Sequence, residues 1–200
     1  MKVEKATWAE VKMIWDTKLW PERDSEPVTS MVYLGGYDMS LKDEEPTFFK
    51  MVSDHGLTVG VNSIVRTGRL EFRSRGLWVH NDWRYLGLGR GLLEASKTEA
   101  RKLGGKVMWT MPRDSALPAY ESVGFVRTTP FFEADYGSNC YALCSLRSIE
   151  EIAHEAERYR KRREQFFREH LEEMVNRGTS TESARKVMKK LADIEEADWR

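Results

Sequence analysis

The stretch LWVHNDWRYLGLGRGLLEASKTEARKL, residues 77–103, decides the fold of this chain. An apolar run ends near Val79, a short polar connection follows, and glycines crowd at Gly87, Gly89 and Gly91. Leu92, Leu93, Ala95, Ala100 and Leu103 then recur at helical spacing until Gly104 and Gly105 stop the helix. A strand, a glycine turn and a helix N-terminus together make an anion site. The first amides of a helix have no intrahelical acceptor, and the helix dipole favours negative charge there. Glycine leaves no Cβ in the way of an approaching phosphate oxygen, and Arg84 and Arg90 add positive charge. Neither common nucleotide motif fits. Gly-Lys-Ser and Gly-Lys-Thr are absent, and Gly87-x-Gly89-x-Gly91 is not the G-x-G-x-x-G dinucleotide pattern. On the glycines alone, a turn that merely starts a helix is an equally good reading.

Outward from this stretch, short apolar runs alternate with turn signals. Residues 2–5 read as a strand, and Trp8, Val11, Ile14, Trp15 and Leu19 predict a helix over residues 7–19. Residues 47–53 and 57–65 flank Asp54-His55-Gly56 as a hairpin, residues 70–79 form the strand that enters the glycine turn, and residues 107–111 form another. A last pair is expected over residues 125–132 and 139–146, joined by a loop with Gly137. Residues 31–42 fit strand or loop. The order is β-α-loop-β-β-β-α-β-α-β-β, a mixed α/β domain over residues 1–147.

From Ser148 the composition changes. The tail of residues 148–200 holds 12 Lys or Arg against 13 Asp or Glu and reads as two helices. Ser148 with Glu151 makes a capping box for a helix to about Asn176; Thr179 with Glu182 makes another for a helix to about Ala197. Ile149, Ile152, Ala153, Ala156, Tyr159, Phe166, Phe167 and Met174 give the first an amphipathic face. Its basic centre, residues 158–163, can be read as a nucleic-acid contact. The glutamates at i, i+4 distances favour a salt-bridged helix that packs on the domain or on a second subunit, so residues 148–200 are expected to form a C-terminal helical hairpin extension able to pair two copies as a homodimer.

The chain has 200 residues, 40% hydrophobic and 32% charged, enough for one core with an appendage. Lys plus Arg and Asp plus Glu balance at 32 each, so net charge does not hold the protein on nucleic acid or anionic lipid. No run approaches ~18 apolar residues, so no membrane-spanning helix is expected. The charged opening MKVEKATWAEVKMIW lacks the apolar stretch of an export signal. Cys140 and Cys144 supply neither a disulfide framework nor a metal set, and His55, His80, His154 and His170 have no ligand spacing. The expectation is a cytoplasmic protein with no metal.

Arg84-Tyr85-Leu86-Gly87-Leu88-Gly89 resembles the acetyl-CoA signature R/Q-x-x-G-x-G/A of the GNAT N-acetyltransferase superfamily. Ala116 through Phe125, ALPAYESVGF, resembles that family's second motif, A-x-x-x-Y-E-x-x-G-F. The resemblance covers roughly residues 1–146. It implies a mixed, mostly antiparallel sheet flanked by helices, an acetyl-CoA co-substrate and an amine acceptor; residues 148–200, read above as a C-terminal helical extension, lie outside it. It also implies that Leu77, Trp78 and Val79 run beside the pantetheine arm. The amides of Leu86, Gly87, Leu88, Gly89 and Arg90, with Arg84 and Tyr85, would take the diphosphate. Arg113 stands seven residues before Tyr120, where many members carry Asn against the pantetheine. It is open between donor phosphate, acceptor and no contact.

By the same resemblance Tyr120 serves the departing CoA thiolate. A phenol near pKa ~10 and a thiol near ~8.5 make full proton transfer uphill by ~2 kcal/mol, so hydrogen bonding matters as much as proton delivery. An amine of pKa ~10.4 is neutral in about one molecule in two thousand at pH 7 and needs a base. Glu71, on the strand where many members place a carboxylate, is the first candidate, and His80 is the second. Arg69, Arg73 and Arg75 alternate along that strand as a solvated face or as an attraction for an acidic acceptor. Trp8, Trp15, Trp20, Tyr33, Tyr37, Phe48 and Phe49 crowd the first 50 residues, where GNAT proteins shape the acceptor side; Trp8 and Trp15 fit core better. The resulting reading is an N-acetyltransferase acting on a small molecule or protein. A nucleic-acid-modifying member and a non-catalytic acyl-CoA-binding or assembly protein are the alternatives.

Overall fold

A computed structural model describes residues 1–19, 21, 44–134 and 137–176. The element expected near residues 31–42, the aromatics Trp20, Tyr33 and Tyr37, and the second tail helix lie outside the described residues. The chain divides into two compact units, Met1–Arg147 and Ser148–Arg200.

In the first unit the elements run β1 (Lys2–Ala6), α1 (Trp8–Ile14), β2 (Thr47–Val52), β3 (Thr58–Arg66), β4 (Glu71–Val79), α2 (Leu88–Lys102), β5 (Val107–Thr110), α3 (Leu117–Glu121), β6 (Val126–Arg127), β7 (Phe132–Ala134), β8 (Gly137–Asn139) and β9 (Ala142–Ser145). One sheet has the order β1-β2-β3-β4-β5-β9-β6, and β7-β8 is a separate pair. Neighbours are antiparallel except β4 and β5. Parallel strands need a long crossover, and α2 supplies it. The fold is therefore mixed α/β with a mostly antiparallel sheet flanked by helices.

Strand alternation sorts the core into two layers. Phe49 and Met51 of β2 face the layer shared with Leu88, Leu92, Leu93 and Ala100 of α2 and Leu117 and Tyr120 of α3. Phe48 faces the other layer, with Val11, Ile14 and Trp15. Burying such side chains contributes ~1.5–3 kcal/mol each. Helix α1 is anchored at its start, where the Thr7 amide and Oγ1 both donate to the Glu10 carboxylate, at 2.7 and 2.9 Å. Lys50 of β2 donates to the same carboxylate at 2.6 Å, and Glu10 is pulled down to about 2.

Two expectations are corrected. The helix over residues 7–19 is α-helical only through Ile14, and Trp15–Leu19 is a wider π-type turn. That turn carries Trp15 into the core, edge-on to Trp8 at 5.6 Å and to Phe48 at 6.2 Å between ring centroids. The last strand pair is split: β6 joins β9, whereas β7 and β8 form their own hairpin.

In the second unit α4 runs Ile149–Asn176. Ser148 and Glu151 cap it reciprocally: the Glu151 amide donates to Ser148 Oγ at 3.1 Å and the Ser148 amide to the Glu151 carboxylate at 2.8 Å. Arg160 pairs with Glu157 and Glu164, both at 2.9 Å, and Lys161 pairs with Glu157 at 3.4 Å. The basic centre is thus partly neutralised along its own helix. Among the described residues, no helix is long and apolar enough to cross a membrane.

Candidate active site

The site begins where two parallel strands part. β4 and β5 pair at Glu71–Val107, Phe72–Met108 and Arg73–Trp109, and there the ladder ends. One step further the same register would set Ser74 against Thr110. β4 instead continues to Val79 paired with β3 alone, so its other backbone edge faces the split. A bulge shapes this stretch: Val61 and Ser63 of β3 oppose Trp78 and Arg75, which leaves an extra residue in β4. Gly76, at φ +76°, lies in the bulge, and any Cβ there would collide with the ring of Trp15. Leu77 and Val79 lie against the α2 layer and Trp78 against the α1 layer.

Tyr120 reaches the apex of the split from the α2 side. Pro118 opens α3 within its first turn, where a missing amide costs nothing, and α3 starts at Leu117. The Tyr120 side chain is 3% exposed, and its ring stands edge-on to Phe125 at 5.2 Å. Its hydroxyl is 3.5 Å from Ser74 Oγ and also bonds Thr110. Burial pushes the phenol above its ordinary value, against the opposing pull of Ser74, Thr110 and Arg73. Behind Ser74 the polar chain continues: Asn62 Nδ2 donates to Ser74 Oγ at 3.1 Å and to Ser96 Oγ at 2.8 Å, and Ser96 donates to the Leu92 carbonyl at 2.8 Å. These buried groups are mutually satisfied, so the chain holds Tyr120 in place. Sequence reading missed Asn62, Ser74, Ser96 and Thr110. Their signal was polarity at positions the periodicity assigns to the core.

At the far end of β4 the chain enters the glycine turn. Arg84 Nε donates to the Val79 carbonyl at 3.1 Å, which ties the turn to the strand end. Tyr85 is fully exposed at φ +64°, a conformation costly for a side-chain-bearing residue, and Gly87 follows as N-cap of α2 at φ +81°. The first bond closing the helix runs from the Gly91 amide to the Gly87 carbonyl at 3.0 Å. The amides of Leu86, Gly87, Leu88, Gly89 and Arg90 find no acceptor among the described residues, and the Arg90 side chain is exposed beside them. This cradle of free donors fits a diphosphate.

On the opposite face from Ser74 stands Arg73. It is 6% exposed, its guanidinium lies over the Trp109 ring at 4.7 Å, and Nε has no hydrogen-bond partner. Burial pulls Arg73 down to about 10, so it remains protonated at neutral pH. This corrects the solvated face: Arg73 is covered, Arg75 is half-buried with its guanidinium 5.7 Å from the Trp15 ring, and Arg69 lies before β4 begins.

The structure brings Tyr120, Ser74 and Thr110 together and does not bring Glu71 to them. Glu71 opens β4 on the far side of the last paired rung, and its Oε2 lies against Gly68, 3.1 Å from where a Cβ would stand there. His80 follows β4 as the cap of a short turn, its Nδ1 accepting from the Asp82 amide at 3.3 Å. Arg113 is exposed, and its carbonyl accepts from the Ala116 and Leu117 amides at 3.0 and 3.1 Å. Among the described residues no cluster of His, Cys, Asp or Glu could hold a metal ion.

Residues 26–138 match the family of the Acetyltransferase (GNAT) domain, more than half of the chain. The chain belongs to the GNAT acetyltransferase family. It is an acyltransferase by that membership. No curated protein matches the sequence. Solved GNAT structures do resemble it in fold. An aminoglycoside 6'-N-acetyltransferase complexed with coenzyme A is 14% identical at a TM-score of 0.56, with 74% of this chain and 98% of that one covered. A GNAT-family acetyltransferase from Staphylococcus aureus Mu50 is 15% identical at 0.52, with 73% and 99% covered. The IAA acetyltransferase from Bacillus cereus is 12% identical at 0.51, with 72% and 98% covered.

Proposed function

We propose that this GNAT protein transfers an acetyl group from acetyl-CoA to a primary amine of a small molecule or protein, by direct attack in a ternary complex. One arrangement carries the reading. A buried tyrosine hydroxyl sits at the apex of the β4–β5 split, and β4 runs from that apex into a row of unpartnered amides. The amides of residues 86–90 and the Arg90 side chain hold the diphosphate. The free edge of β4 at Leu77, Trp78 and Val79 takes the pantetheine arm as an added strand would be taken.

The amine nitrogen attacks the thioester carbonyl carbon, the C–N bond forms, and a tetrahedral intermediate results. Its collapse breaks the C–S bond, the amine yields a proton to solvent, and the sulfur leaves as thiolate. The Tyr120 hydroxyl donates a hydrogen bond to that thiolate. Burial raises the phenol further above a thiol's ~8.5, so Tyr120 acts as a fixed donor and keeps its proton. Acetyl transfer belongs to residues 1–147, and residues 148–200 follow as an extension that opens with α4. Calorimetry with acetyl-CoA, followed by free-thiol release against an amine panel, tests the reading. Amine-dependent thiol release is expected, and failure to bind acetyl-CoA overturns it.

A further inference from the structure

Among the described residues, Arg73 is a buried charge without a counter-charge. No carboxylate among the described residues pairs with it, and its Nε has no hydrogen-bond partner. Buried ions are ordinarily paired, because water surrendered on folding must be replaced by something. Trp109 supplies a ring face, which offsets part of the loss and leaves the buried Nε unsatisfied.

Its position gives the charge a purpose. Arg73 and Trp109 form the last paired rung of β4 and β5, immediately below the split. Tyr120, Ser74 and Thr110 occupy the α2 side of the apex, and the amide cradle is on that side too, at the start of α2. The Arg73 side is walled by aromatic rings: Trp109 lies 6.1 Å from Tyr141, which lies 5.5 Å from Phe132. An acceptor held on this face meets the reacting centre through the split.

We infer that the amine acceptor carries a carboxylate, and that Arg73, backed by Trp109, receives it with the amine directed at the apex of the β4–β5 split. The inference rests on the acetyl-transfer reading above and narrows its substrate class. The guanidinium fork matches a carboxylate bidentately, and the aromatic wall suits an acceptor with an apolar or planar body. A polycationic amine meets a buried positive charge and is disfavoured.

Matched amines that differ only by the carboxylate test this: lysine against cadaverine, ornithine against putrescine, and phenylalanine against phenethylamine, with spermine as the polycation. Turnover is read as thiol release under saturating acetyl-CoA. In at least one pair the wild type is expected to prefer the carboxylated member about 10- to 100-fold in kcat/KM. In Arg73→Met that ratio falls to within a few-fold of one, chiefly through KM, while acetyl-CoA affinity by calorimetry is unchanged; Arg73→Lys recovers part of the ratio.

Thermal unfolding separates recognition from a structural role. Removing an unpaired buried charge raises the Tm of Arg73→Met if the arginine serves a ligand. A lowered Tm with the ratio unchanged makes Arg73 structural and overturns the inference. So does a panel in which no pair reacts, or in which both members of each pair react equally. Acetyl-CoA binding with amine turnover blind to the carboxylate sinks this inference alone, whereas no acetyl-CoA binding sinks the acetyl-transfer reading with it.

Discussion

The Tyr120 hydroxyl stands 3.5 Å from Ser74 Oγ, one residue beyond the last rung that joins β4 to β5. Two elements far apart in sequence thus meet where the sheet opens. Tyr120→Phe removes the donor and little else, since Ser74 keeps its bonds to Asn62. Turnover is expected to fall about 10²-fold, with stability changed by ~1 kcal/mol and acetyl-CoA affinity retained. Steady-state thiol release beside calorimetry checks this, and an unchanged kcat removes Tyr120 from the mechanism.

Gly89→Glu places a carboxylate among the free amides at the start of α2. A Cβ at Gly89 meets Val79 Cγ2 at 3.8 Å and Ala119 Cβ at 3.9 Å, ordinary contacts, so the backbone accommodates a side chain. An acid in the first helical turn stabilises a helix by ~0.3–1 kcal/mol. The variant should therefore keep its Tm and lose acetyl-CoA binding in calorimetry, while Gly89→Ala binds. Equal affinity in Gly89→Glu and wild type would move the diphosphate site elsewhere.

Glu71 tests the other end of β4. Its carboxylate folds back over Gly68, on the far side of the Arg73–Trp109 rung. Glu71→Gln is accordingly expected to keep kcat within about threefold of wild type, a change below ~0.7 kcal/mol in barrier. A drop of about 10²-fold or more, with a shifted pH–rate profile, would restore Glu71 as the general base.

What the sequence displays well is what neighbours along the chain decide. The glycine turn and the start of α2, the Ser148–Glu151 cap and the Pro118 in the first turn of α3 are written in local residue types. The split and its contents depend on partners distant in sequence. Arg73 reads as one of several alternating arginines until Trp109, on another strand, covers it. Asn62 and Ser96 look like interruptions of apolar faces until the fold brings them within 2.8 Å of each other. Gly76 hints at a bulge because it is an isolated glycine inside a strand. Where that bulge sends β4 is settled by its pairing with β3 and by the Trp15 ring above it.

High pH should separate the two buried groups at the apex, because they respond in opposite directions. Burial raises Tyr120, so above ~10 the unfolded chain ionises this phenol first; the stability Tyr120 contributes is full below that pH and is lost as pH rises through its folded value. Burial lowers Arg73 to about 10 from an ordinary 12.5, so between those values the unfolded chain binds more protons and stability rises with pH. In the wild type the two effects oppose each other over the same alkaline window. Tyr120→Phe deletes the destabilising one and leaves Arg73 acting alone. The fall in Tm between pH 8 and pH 11 should therefore be smaller in Tyr120→Phe than in wild type, and Arg73→Met should fall further than either. Equal losses in all three would mean that neither group is buried at the split as the geometry has it.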